Sequence, residues 1–172
     1  MDYFYSVKDS DLFENPYPEP EIYTDRPTVK GLVFNTKDQI ALMWHPTEHY
    51  GLLPGGGVEK GETEEEAFIR ECKEEIGCDI DIISKIGTAA QYRAKDGRKF
   101  DTHFFVAKVV GEIGKPTTTQ EDELIVETKW FTLSELEAQL KKQTEFKHPE
   151  WYQRQFNSHT HYAAVRKYLD EK

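Results

Sequence analysis

A chain of 172 residues is one domain's worth, long enough to bury roughly 70% of the surface its unfolded state exposes without disulfide staples. With 37% hydrophobic and 13% aromatic residues it carries too much core material for a disordered chain, despite 31% charge. Its 32 acidic residues against 22 Lys and Arg, a net charge of −10, argue against non-specific binding to nucleic acid or an anionic membrane, and an anionic substrate would need local cations or a bound metal ion.

Residues 1–27 contain Pro16, Pro18, Pro20 and Pro27 among acids and aromatics. Pro18-Glu19-Pro20 favours extended backbone. The segment reads as an irregular arm that packs by its aromatics or makes homodimer contacts; a partly ordered tail is the alternative. Met1-Asp2-Tyr3-Phe4-Tyr5 lacks the basic start and apolar core of a signal peptide, and no apolar run approaches a membrane span. Cys72 and Cys78 make neither a disulfide framework nor a zinc ribbon. These features predict a soluble, cytoplasmic protein.

The remaining residues, 28–172, read as a single domain. Strands are predicted over 28–34 and 39–44, joined by the turn Asn35-Thr36-Lys37-Asp38. A short apolar segment over 50–53 precedes the break at Gly55-Gly56-Gly57. Thr63-Glu64-Glu65-Glu66 fits a capping box with Thr63 as N-cap. Phe68, Cys72 and Ile76 then recur at four-residue steps, with Ile69 flanking, as a buried stripe, and Gly77 suits the C-terminal cap. Strand-like segments follow over 80–86, 89–94 and 100–110, with Lys95-Asp96-Gly97-Arg98 as a turn. Residues 114–123 read as a loop and 125–131 as a strand. Thr132-Leu133-Ser134-Glu135 is a second capping box, opening a helix to about Lys142. Ser158 is read as the cap of a last helix whose apolar face holds Tyr162, Val165 and Leu169. Elements in this order suggest an α/β (α+β) fold, a mixed sheet between helices.

The informative stretch is residues 56–78. At about 100° per residue, Glu71, Glu74 and Glu75 fall within roughly a third of the helix circumference, with Glu64 on the same side two turns earlier. From Glu59 to Glu75 there are eight Glu against Lys60, Arg70 and Lys73. Such a cluster repels itself unless a cation offsets it. Arg70 can reach Glu66 and Glu74 at helical spacing, but one arginine cannot neutralise the set. Oxygen ligands favour hard cations, Mg²⁺, Mn²⁺ or Ca²⁺. An ordinary solvated acidic helix face is the alternative that charge alone supports.

The full spacing adds more. Gly56, five residues, Glu62, seven residues, Arg70-Glu71, Cys72, one residue, Glu74-Glu75, one residue, Gly77, Cys78 resembles the signature of the Nudix hydrolase family, of the MutT-like type. Cys72 and Cys78 stand where bulky aliphatics are usual, and Leu52-Leu53-Pro54-Gly55-Gly56 resembles the family's lead-in. The resemblance implies a Nudix fold and a divalent-metal-dependent hydrolase that cleaves a diphosphate linkage in a nucleoside diphosphate derivative. It implies that Glu71, Glu74 and Glu75 hold Mg²⁺ (or Mn²⁺), with the Gly56 carbonyl a further ligand. Metal would offset charge growing at phosphorus and lower the pKa of a water. Glu71 would orient or deprotonate that water, and Arg70 and Glu62 would fix the carboxylates. Some members take the base from a loop, for which Glu121 in Gln120-Glu121-Asp122-Glu123 is the candidate beside a plain solvated loop.

The expected partner is a small-molecule nucleotide, a nucleoside triphosphate or an oxidised one, with neither nucleic acid nor membrane. Alternatives are a dinucleoside-polyphosphate or nucleotide-sugar hydrolase, or a non-catalytic nucleotide-binding or regulatory domain of the same fold. ADP-ribose-cleaving members tend to carry a proline soon after the box, and none occurs between Cys78 and Pro116. Tyr92 stands near the tyrosine typical of dinucleoside-polyphosphate members, but suits a strand equally. Arg26, Lys30, Arg93 and Arg98 can neutralise phosphates, and Trp44 or Tyr50 can stack on a base or fill the core. His45, His49, His148, His159 and His161 are too scattered for a strong transition-metal reading.

Overall fold

The structure, a computed structural model, describes residues 2–118, 126–146 and 150–172. Its strands are β1 (Tyr3–Lys8), β2 (Thr24–Phe34), β3 (Ile40–His45), β4 (Tyr50–Leu52), β5 (Asp79–Arg93), β6 (Arg98–Val110) and β7 (Glu127–Phe131). Its helices are α1 (Asp9–Leu12), α2 (Glu64–Ile76), α3 (Leu133–Thr144) and α4 (Tyr152–Asp170). The strands form one mixed sheet in the order β1-β5-β6-β2-β3-β4, with β7 paired to β3. β1 runs parallel to β5 and β2 parallel to β6, whereas β5 and β6 form an antiparallel hairpin. β3 meets β2 only at Phe34–Ile40 and pairs antiparallel with β4 and β7.

Alternation along the strands sends side chains to two cores. Val29, Val33, Ala41, Met43, Phe105 and Ala107 face Ala67, Phe68, Cys72 and Ile76 of α2. Leu32, Phe34, Leu42, Phe104 and Val106 face Leu136 and Leu140 of α3 and Ala164 and Val165 of α4. Helices therefore cover both faces, as the order of elements predicts. Among the described residues, no helix is long and apolar enough to cross a membrane.

Several local expectations change. Residues 3–8, assigned to the irregular arm, form β1 and are hydrogen-bonded into the sheet against β5. Their pattern is masked because this edge strand is only half-buried, with Val7 the one buried residue. The arm does pack by its aromatics: Phe13 stacks on Tyr152 at 5.3 Å, and buried Asp9 accepts from Tyr152 Oη at 2.6 Å and from Ala94 N at 2.9 Å. The two segments expected over 80–94 are one strand, β5, with register shifts at Ile82/Ser84 and Lys85/Gly87 that break its alternation. α4 begins at Tyr152, six residues before the expected cap, and Ser158 is buried within it. Its buried face mixes Tyr152 and Phe156 with Gln155, Ser158, Thr160 and His161, so polar residues interrupt the apolar stripe of its first turns. Ile69 is 43% exposed rather than part of the α2 stripe.

Candidate active site

The site grows from α2. Thr63 Oγ1 accepts from Glu66 N at 3.1 Å, and Glu66 Oε2 accepts from Thr63 N at 2.8 Å, so two orphan amides are capped reciprocally. Gly77 ends the helix in the left-handed region, φ 67°. Because Phe68, Cys72 and Ile76 anchor one face to the sheet, Glu71 and Glu75, one turn apart, are drawn inward beside them, 7% and 9% exposed, while Glu74 stays half-buried.

Opposite these carboxylates runs the glycine loop. It lies along β2 because Gly31 N donates to Pro54 O, Val29 N to Gly56 O and Val58 N to Pro27 O, at 2.9–3.2 Å. The loop and helix enclose a cavity of about 820 Å³ whose walls include Gly55, Gly56, Gly57, Glu71, Glu74 and Glu75, the cations Arg26, Lys30, Lys60 and Arg70, and the apolar Met43, Leu52 and Val126. A Cβ on Gly56 would stand 2.5 Å from Glu71 Oε1, so only glycine lets this carboxylate lie against the loop.

The carboxylates are held by internal donors. Gly55 N donates to Glu75 Oε2 at 2.6 Å. Arg70 is the hub: Nε and Nη2 form a fork on Glu62 at 2.8 and 3.0 Å, Nη1 donates to Glu71 Oε1 at 2.8 Å and lies 3.5 Å from Glu74, and Nη2 also reaches Gly57 O. Burial raises the Glu71 carboxyl above its ordinary range, against the pull of Arg70. The Arg70 hydrogen bonds instead lower Glu62. Lys30 Nζ donates to Gly55 O, and the Gly56 carbonyl is engaged by Val29 N. With Glu71 and Glu75 turned to these partners, no three His, Cys, Asp or Glu side chains among the described residues form a ready-made cation cluster.

The structure thus brings Gly56, Arg70, Glu71, Glu74 and Glu75 to one cavity. Glu66 is spent on the cap rather than on Arg70. Glu64 points away to His103 Nε2, 3.0 Å, and Lys85. Glu121 and His148 lie outside the described residues. On the near flank of Glu121, Thr117 N and Thr118 N donate to Glu74 O at 2.8 and 3.0 Å; on the far flank, Val126 lines the cavity. Trp44 and Tyr50 are core residues, 7% and 1% exposed. Tyr92 faces the opposite side of β5 from Gln91 and Arg93 and packs edge-on to Tyr23. Arg98 is exposed at the start of β6, whereas Arg26 and Lys30 line the cavity. His161 is buried, with Leu53 N at 3.4 Å from its Nδ1, and burial pushes its pKa well down. Met43, Leu52 and Val126 were not foreseen as cavity walls, and nothing in their local sequence sets them apart from ordinary core.

A model described as the NUDIX domain matches residues 24–155. An uncharacterised Nudix hydrolase of Listeria monocytogenes is 30% identical over 112 residues, 62% of this chain and 63% of that protein. A Bacillus subtilis protein provisionally named an 8-oxo-dGTP diphosphatase is 34% identical over 80 residues, 46% of this chain and 51% of that one. The chain thus spans less than two thirds of these curated relatives. A solved Nudix hydrolase from Nitrosomonas europaea shares the fold with TM-score 0.60 at 21% identity, over 87% of this chain and 91% of its own.

Proposed function

The chain belongs to the Nudix family, whose domain model matches 24–155 of its 172 residues, and on that premise we propose that it hydrolyses a diphosphate linkage in a nucleotide with the help of a divalent cation. The observation that carries this is the alignment of Glu71, Glu74 and Glu75 along one cavity wall, facing the glycine loop. A cluster of that sign is costly without a positive ligand. The donor set fits a hard cation: carboxylates, and a Gly56 cradle that a Cβ would fill. Glu71, Glu74 and Glu75 would hold Mg²⁺ or Mn²⁺, with a backbone oxygen from the loop. The Gly56 carbonyl keeps a lone pair beside its Val29 bond, whereas that of Gly55 accepts from Lys30 Nζ. When bound, such a cation offsets the charge that grows on the phosphoryl oxygens and makes a water easier to ionise.

The chain's own residues supply the rest. Glu71, whose proton affinity is raised by burial, orients and deprotonates the water. Glu121 is the alternative base from the neighbouring loop. Arg70 fixes Glu71 and Glu62 so that the carboxylates keep their places. Arg26, Lys30 and Lys60 neutralise phosphate oxygens along the cavity wall. A nucleoside triphosphate, including an oxidised one, is the substrate class we favour; the name of the Bacillus relative supports it. Hydrolysis of common and oxidised triphosphates, ADP-ribose, a dinucleoside tetraphosphate and a nucleotide sugar, each with Mg²⁺ and with chelator, tests the reading. Mg²⁺-dependent cleavage of a triphosphate at least about tenfold faster than of the others, about 1.4 kcal/mol of transition-state binding, is expected. Cleavage of none of them, or equal cleavage in chelator, contradicts it.

A further inference from the structure

The carboxylate cavity adjoins a second, of about 200 Å³, walled by β2, β5, β6 and the start of α4; Arg26, Lys30, Gly56 and Gly57 line both. At its far end lies Arg93, 5% exposed. Its Nε donates to Gln91 Oε1 at 2.8 Å and its Nη2 to Asn157 Oδ1 at 2.8 Å, and its Cζ sits 4.1 Å from the Phe100 ring centroid. Every one of these partners is neutral. Among the described residues, no carboxylate forms an ion pair with Arg93 or with Arg26. Buried charges in proteins are ordinarily paired. A guanidinium buried without a direct ion pair, with Asp96 acting on it only at longer range, in a chain of net charge −10, is an exception that a ligand would resolve.

The groups left facing this space define the ligand. Gln91 Oε1 and Asn157 Oδ1 are occupied by Arg93, and Gln91 Nε2 by Thr160 Oγ1 at 2.8 Å. Arg93 Nη1 and the Arg26 guanidinium make no hydrogen bond to an acceptor among the described residues, whereas the Asn157 side chain also reaches the Tyr50 hydroxyl. Two guanidinium groups turned to one small space suit an acceptor-only, anionic group. A nucleobase would bring donors as well as acceptors and would need an open aromatic face, and the Phe100 face is covered by Arg93.

We propose that this end of the trough is a phosphoryl subsite, in which Arg93 and Arg26 hold an anionic group of the substrate beyond the linkage that is cleaved. Gln91 and Asn157 act as positioning residues that aim the Arg93 fork. The inference rests on reading the carboxylate cavity as the place of cleavage, and it narrows the substrate to one with a further phosphoryl group, such as a triphosphate, rather than a nucleotide sugar. Burial lowers the Arg93 pKa to about 10, so the group is still charged at neutral pH.

The test uses the whole chain and two measurements. In chelator, calorimetric titration with inorganic pyrophosphate should show binding to the wild type that weakens at least about tenfold in Arg26→Gln and in Asn157→Asp. Asn157→Asp places a carboxylate on Arg93 Nη2, so it should melt no lower than wild type while closing the subsite; Arg93→Met serves only as a second variant. With Mg²⁺, Asn157→Asp should lower kcat/KM for the triphosphate mainly through KM. No pyrophosphate binding by the wild type, or equal binding by folded Asn157→Asp, overturns the proposal. Weakened pyrophosphate binding with an unchanged KM also overturns it, because the site would then serve free phosphate alone. The binding outcomes are read in chelator and only the KM outcome needs turnover, so failure of hydrolysis altogether would strike the cleavage reading, while pyrophosphate binding would still decide this one.

Discussion

Glu71 stands between opposing demands. Burial favours its neutral form, and the Arg70 hydrogen bond favours its charged form, with burial prevailing. A carboxyl whose folded pKa is raised contributes stability that is present below its unfolded value, about 4.3, and is lost as pH rises through the folded value. Glu71→Gln cannot ionise, yet keeps an oxygen for Arg70. In chelator, the stability of Glu71→Gln relative to wild type should therefore grow as pH rises from about 4 and level off above the raised pKa. Urea titrations at a series of pH values check this; a constant difference across the range would contradict it. At this scale the sequence was informative where contacts are local. Arg70, Glu71, Glu74 and Glu75 lie within six consecutive residues of one helix, so helix geometry alone gathers them, while Gly56 is placed opposite by the ties of its loop to β2. Arg93 was noted only as one of several cations. Its meaning depends on Asn157, 64 positions away, and on burial that no local pattern announces.

At the scale of elements, α2 is the part on which the site depends, and its ends are written in the chain. Thr63 and Glu66 cap it, and Gly77 closes it. Thr63→Ala should destabilise the protein by about 1 kcal/mol, within the usual range for a lost N-cap, because Glu66 N loses its acceptor. It should leave cation affinity nearly unchanged, since Glu71 lies two turns further on. Chemical denaturation measures the first, calorimetry the second; an unaltered midpoint would show that the cap carries no weight. The capping box of α3 was legible for the same reason, with Thr132 accepting from Glu135 N. α4 was read six residues short because its first buried positions, Tyr152, Gln155, Phe156 and Ser158, mix aromatic with polar side chains, and the polar ones are satisfied or enclosed only in the folded chain. β1 escaped notice because a parallel edge strand is defined by its partner, β5, some 85 positions away at Tyr3–Thr88. Sequence proximity carries no trace of such a pairing.

At the scale of the molecule, the sheet is a wall with a separate core on each side, and α2 is bolted to one side by Phe68, Cys72 and Ile76. The glycine loop is tied to β2 of the same sheet. Helix and loop therefore face one another on a common support, and the cavity between them adjoins, past the loop, the one that holds Arg93, so the two together run from carboxylates to guanidinium groups. That polarity suits a polyphosphate held by a cation at one end and by arginines at the other, even though the chain as a whole is negative. The central claim is that Glu71, Glu74 and Glu75 together hold a divalent cation. Calorimetric titration of Mn²⁺ into wild type and into the variant Glu71→Gln/Glu74→Gln/Glu75→Gln tests it most directly. The glutamines keep the oxygens that accept from Arg70 and from Gly55 N, so the variant should fold and, in chelator, melt no lower than wild type. Wild type should bind Mn²⁺ and gain about 2.7 kcal/mol of stability at a hundred times Kd, and the variant should show neither effect. Equal Mn²⁺ affinity in the folded variant, or no binding by wild type, would contradict the account.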